Sequence, residues 1–141
     1  MNAYARTAET YLTQRILNAS PEQQAALIME AGQLHLGRAI QSLKKGDPVT
    51  AASSFLRVTE VLREATIRLN LEEGGELAQS LNKLYDFWAK ELLAGSASKN
   101  IARLEAVAQG MGEVRQAWEQ FHEKRSAPAQ PSSFNLGNQI V

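Results

Sequence analysis

The stretch from Glu72 to Leu92 constrains this chain more than any other. Glu72-Glu73-Gly74-Gly75-Glu76 sets two adjacent glycines among carboxylates. Paired glycines take backbone angles that other residues avoid and so end a preceding helix. The carboxylates favour the positive end of a new one. Leu77, Leu81, Leu84, Trp88 and Leu92 then recur at spacings of three and four, a single helical stripe, with Tyr85 and Phe87 widening it. So apolar a stripe needs partners on more than one side. The helix is therefore expected to be central to a bundle whose other members lie before and after it.

Those members are legible from their start and stop signals. Ser20-Pro21-Glu22-Gln23 pairs a capping serine with proline at the first helical position, and Gln23 completes a capping box. A helix follows to about Lys44, with Gly46 beyond its end. Asp47-Pro48 repeats the start device, and Ala51, Phe55, Val58, Leu62, Ala65 and Leu69 line the second helix. The third is expected to end near Ala94, stopped by Gly95. Ser96 and Ser98 offer caps for a fourth, lined by Ile101, Leu104, Ala108, Met111 and Trp118. Gly110 and Gly112 inside it point to a close helix contact. Short connections make neighbours antiparallel. The sequence thus predicts an all-α fold, an antiparallel up-down-up-down four-helix bundle over residues 19–125. A helix-compatible N-terminal segment (1–18) precedes it, read either as packed on the bundle or as a lid over an apolar groove. A proline- and serine-rich tail (126–141) follows, expected to be disordered.

Composition narrows the function. Lys+Arg and Asp+Glu are both 15, so the net charge is zero, which argues against nucleic-acid binding. With no cysteine, disulfides, thiolate metal sites and cysteine catalysis are excluded. The first 18 residues lack the core of a secretory signal, and no window suits a membrane-spanning helix, so membrane insertion is not expected and a cytoplasmic location is inferred. A di-iron bundle needs Glu-x-x-His on two helices. Only Glu119-Gln120-Phe121-His122 matches, since His35 has Gly32 three residues before it. No nucleophile–base pair or phosphate-cradling loop is recognisable, so no catalytic residue, metal or cofactor is assigned. What remains is a third-helix stripe wider than a narrow seam: Leu77, Leu81, Leu84, Tyr85, Phe87, Trp88, Leu92 and Leu93. It reads either as an ordinary core helix or as a groove for a partner's amphipathic helix.

Three local signatures go further: Ala3-Tyr4-Ala5, Ala19-Ser20-Pro21-Glu22, and Glu73-Gly74-Gly75-Glu76-Leu77-Ala78 followed by Leu84-Tyr85-Asp86-Phe87. With Trp118 late in the last helix, they resemble the flagellar secretion chaperone FliS family over about residues 3 to 121. The resemblance implies a cytoplasmic bundle that binds the C-terminal region of flagellin, prevents premature polymerisation and delivers the subunit to the flagellar type III export apparatus. It also implies that Tyr4, Tyr11 and Ile16 belong to a displaceable lid, and that Ser20, Pro21, Tyr85 and Asp86 sit at or near the pocket it covers. Leu77, Leu81 and Trp88 join them as expected partner-binding residues. The chain departs from the family pattern at Ile28-Met29-Glu30-Ala31-Gly32, at Ala94-Gly95 and in the tail after Arg125. A non-enzymatic adaptor or scaffold for other flagellar or signalling proteins is the alternative reading.

Overall fold

The computed structural model describes residues 7, 10, 11, 14, 15 and 18 of the N-terminal segment and residues 19–126, with side chains described to Lys124. Four helices make up the bundle: α1 (Pro21–Lys44), α2 (Pro48–Ile67), α3 (Gly75–Ser98) and α4 (Ile101–Ser126). There is no strand among the described residues. The tail from residue 127 onward and most of the N-terminal segment, Tyr4 and Ile16 included, lie outside the described residues.

The start signals work as their chemistry requires. The Ser20 Oγ accepts from the Gln23 N–H at 3.2 Å while the Ser20 N–H donates to the Gln23 side chain at 2.9 Å, a reciprocal capping box. Asp47 accepts from the Thr50 N–H at 3.1 Å to open α2. Gly46 takes φ +73 in the tight turn between them, a conformation that side-chain-bearing residues disfavour. Between α2 and α3, Asn70 and Glu73 bond reciprocally at 3.0 and 3.2 Å and hold the turn that the glycines permit.

The third and fourth helices meet differently from the sequence expectation. Helix α3 does not stop at Gly95 but continues to Ser98, and Lys99 ends it in the left-handed conformation at φ 53. Gly95 is instead a contact residue, for a Cβ there would lie 2.7 Å from Leu104 Cδ2. Ser96 and Ser98 bond back to carbonyls within α3, and Asn100 is the residue that caps α4, accepting from the Arg103 N–H at 3.1 Å.

Contacts rise in number on one helix as they fall on its neighbour, which makes each adjacent pair antiparallel. Gly32 meets Met111 and Gln33 meets Gly112, while Ser20 reaches His122; across the other side Gln24 meets Arg68 and Gly32 meets Val61. The helices form a square in which α1 neighbours α2 and α4, and α3 neighbours the same two. The closest backbone approaches belong to α1, not to α3. Small buried residues on α1 (Ala26, Gly32 and Ala39) allow this. The α3 helix is held farther off by its own bulk, because Tyr85 and Trp88 both point inward with ring centroids 5.7 Å apart. The core comprises Met29 and Leu36 of α1, Val58 and Leu62 of α2, Leu81, Tyr85, Trp88 and Leu92 of α3, and Leu104, Met111 and Trp118 of α4.

Candidate partner-binding surface

Consecutive helical residues point about 100° apart, so the side chains of Tyr85 and Asp86 leave α3 in different directions. The Tyr85 ring turns inward, and burial pushes its phenol up to about 12. Asp86 faces outward and is held by Lys90, one turn on, at 2.9 Å. Both line a furrow of about 420 Å³ that runs between α2 and α3. Leu62 and Ile67 contribute apolar surface from α2, Ala89 and the edge of Tyr85 contribute it from α3, and Arg63 and Lys83 stand on opposite walls.

The furrow continues into exposed apolar residues. Val49, Leu56 and Ile67 lie seven and eleven residues apart, which places them on one outward stripe of α2. They are 79%, 61% and 67% exposed, and Leu93 of α3 is 74% exposed. Helix α2 therefore has two apolar stripes, one sealed inward through Val58 and Leu62 and one left facing solvent. Sequence inspection followed the inward stripe and passed over the outward one, although its spacing was there to be read.

The α3 residues expected at a partner surface divide. Leu81 and Trp88 are sealed in the core, Leu77 is 37% exposed in the first turn, and Tyr85 and Asp86 meet at the furrow. Leu84, expected at the centre of the stripe, is half-buried at its edge. Phe87 lies on the shoulder toward α4, one turn before Glu91, whose carboxylate accepts from Arg103 Nε at 2.9 Å and from Nη2 at 2.8 Å. Hydrogen bonding to Arg103, with the guanidinium charge beside it, favours the ionised form and lowers the Glu91 carboxyl from its ordinary range.

A second space of about 660 Å³ opens on the opposite side of the square, between the N-terminal segment and α1 and α4. Tyr11, Arg15 and Asn18 line it, facing Leu27, Glu30, Arg115 and Glu119. Ser20 closes one edge, its Oγ 2.9 Å from His122 Nδ1, and Pro21 is half-buried beside it. The described N-terminal residues thus sit on the α1–α4 side, whereas Tyr85 and Asp86 sit on the α2–α3 side. A narrow apolar pocket at the end where α1 and α3 begin is lined by Ala25, Met29, Ala65, Tyr85 and Trp118. Among the described residues no group of three or more His, Cys, Asp or Glu side chains is placed to hold a metal, and no helix is long and apolar enough to cross a membrane.

The family model described as flagellar protein FliS matches residues 3–125. The flagellar secretion chaperone FliS of Salmonella typhimurium is 26% identical over 127 residues, covering 89% of this chain and 92% of that protein. The flagellar secretion chaperone FliSB of Pseudomonas aeruginosa is 25% identical over 122 residues, covering 84% of this chain and 94% of its own length. The flagellar secretion chaperone FliS of Vibrio cholerae is 22% identical over 103 residues, covering 73% and 76%. With a match that spans the N-terminal segment and all four helices, the chain belongs to the FliS family of flagellar proteins.

Proposed function

We propose that this chain is a non-enzymatic cytoplasmic chaperone of flagellar export, which binds the C-terminal region of flagellin, prevents its premature polymerisation and delivers it to the export apparatus. Family membership over residues 3–125 is the observation that carries the reading. The apolar surface left open after the bundle has closed supports it. Val49, Leu56, Ile67 and Leu93 stand exposed around a ready furrow. Burying such side chains contributes about 1.5–3 kcal/mol each. Ordering a disordered partner costs roughly 1–2 kcal/mol per residue in backbone freedom, so a chaperone needs several such anchors in a row.

In this reading the N-terminal segment, with Tyr4, Tyr11 and Ile16 as its apolar contacts, is the displaceable cover of the α1–α4 space, a part of the partner surface separate from the α2–α3 furrow. Ser20 and Pro21, at the head of α1, sit at the edge of the surface it covers. Such a cover scales the apparent affinity by the fraction of time that it is open, so a mostly closed cover weakens binding. Isothermal calorimetry of the full chain against the C-terminal region of the organism's flagellin tests the proposal. A 1:1 complex is the expected result, and no heat of binding with no co-migration on gel filtration would overturn it.

A further inference from the structure

The furrow between α2 and α3 carries charge as well as apolar surface, and its charge is one-sided. Three ionised groups line it: Arg63 on α2, and Lys83 and Asp86 on α3. Asp86 is neutralised by Lys90 at 2.9 Å. The acidic residues nearest on α2 are likewise engaged, Glu60 with Arg57 at 3.4 Å and Glu64 with Arg68 at 2.9 Å. Neither Arg63 nor Lys83 takes part in an ion pair among the described residues. An apolar floor is thus bordered on both walls by a cation that holds no carboxylate at ion-pair distance among the described residues.

From Val49 to Ile67 the open stripe extends about 27 Å at the helical rise of about 1.5 Å per residue. A third helix of about five turns would lie along it, burying an apolar stripe while satisfying its own backbone. We infer that the α2–α3 furrow selects an amphipathic helix with acidic residues flanking its apolar stripe, and that Arg63 and Lys83 are its specificity-determining residues. The inference rests on reading this surface as the partner seat and adds the class of segment it accepts. Rim charges of this kind act mainly on association rate and on the choice between partners, and their effect weakens as salt screens them.

Two eighteen-residue model peptides test it, with identical apolar stripes flanked in one by Glu and in the other by Lys. They are titrated into the full chain and into the doubly reversed variant R63E/K83E, whose fold is checked by circular dichroism. The Glu-flanked peptide should bind the native chain about tenfold tighter than its Lys-flanked twin at low salt, the gap narrowing at high salt. The preference should reverse in R63E/K83E. Equal binding of the two peptides, a Lys preference, or no binding of either would overturn the inference, as would a preference that the variant leaves unchanged. The flagellin segment is titrated in parallel. Its failure to bind the native chain counts against the chaperone reading. Equal binding to the native chain and to R63E/K83E counts only against the charge selection.

Discussion

Gly110 of α4 lies directly against the indole of Trp88, so that a Cβ at position 110 would stand 2.9 Å from Trp88 Cζ2. Gly37, in α1, has nothing within 4 Å of the same added atom. One chemical change at the two sites should therefore act in opposite directions. Replacing a helical glycine by alanine where the added methyl meets nothing gains up to about 1 kcal/mol of helix propensity. Overpacking a closed core costs about 1–3 kcal/mol. G37A is expected to raise the midpoint of urea unfolding and G110A to lower it by an amount equivalent to about 1 kcal/mol. A stabilised G110A would mean that the indole can shift freely.

The outward stripe of α2 separates binding from stability. Leu56 and Ile67 are exposed and support little of the core, so L56E/I67E should unfold within about 0.5 kcal/mol of the native chain. Binding of the flagellin C-terminal region should fall at least tenfold. Changing Leu62 to Ala, five residues before Ile67 but sealed inward, should show the reverse pattern, with a loss of about 2–5 kcal/mol of stability. Denaturant titration and calorimetry on the same preparations distinguish the two.

Much of this was legible from residue order alone, and the exceptions have physical causes. The caps at Ser20 and Asp47 were readable because each sits beside a proline that only a helix start tolerates. The end of α3 was not. A glycine reads locally as a stop, yet Gly95 is required by the side chain of Leu104 from the next helix, a long-range fact with no local mark. Asn100 was overlooked because two serines precede it with equal capping chemistry, and their hydroxyls turned back to α3 instead. The hub of the bundle was assigned to α3 on its bulk, but large inward rings keep neighbours away, and small residues on α1 draw them close. Tyr85 and Asp86 were named from the sequence as neighbours of a covered pocket, whereas Arg63 and Lys83 gained meaning only when two helices were set side by side.

Acid should weaken the fold through His35. Burial lowers its imidazole from the ordinary 6.5, with the charges of Arg38 and Arg57 acting the same way and Glu60 opposing them. The unfolded chain then binds a proton that the folded chain resists. Stability is fully present above pH 6.5 and falls as the pH drops from there toward the lowered folded value. H35Q should flatten that slope in denaturant titrations between pH 7 and pH 5 (about the range over which histidine changes charge). A slope unchanged in H35Q would assign it to other groups.

Ser20 serves two partners at once, the Gln23 N–H and His122 Nδ1. S20A should lower the unfolding free energy by about 1 kcal/mol, the usual worth of an N-cap. S20D keeps an acceptor for the helix start and should restore most of that loss, whereas S20V should not. Thermal melts of the three variants provide the check.

The two helices that press most tightly on α1 are its immediate successor and the last helix of the chain. During synthesis α1 and α2 can pair as soon as they emerge, yet the other flank of α1, with Gly32 waiting for Met111 and Gln33 for the Ala108 carbonyl, stays bare until α4 leaves the ribosome. A nascent chain cut short after α3 therefore carries an uncovered greasy flank of its own, in need of shielding until its final turns are made.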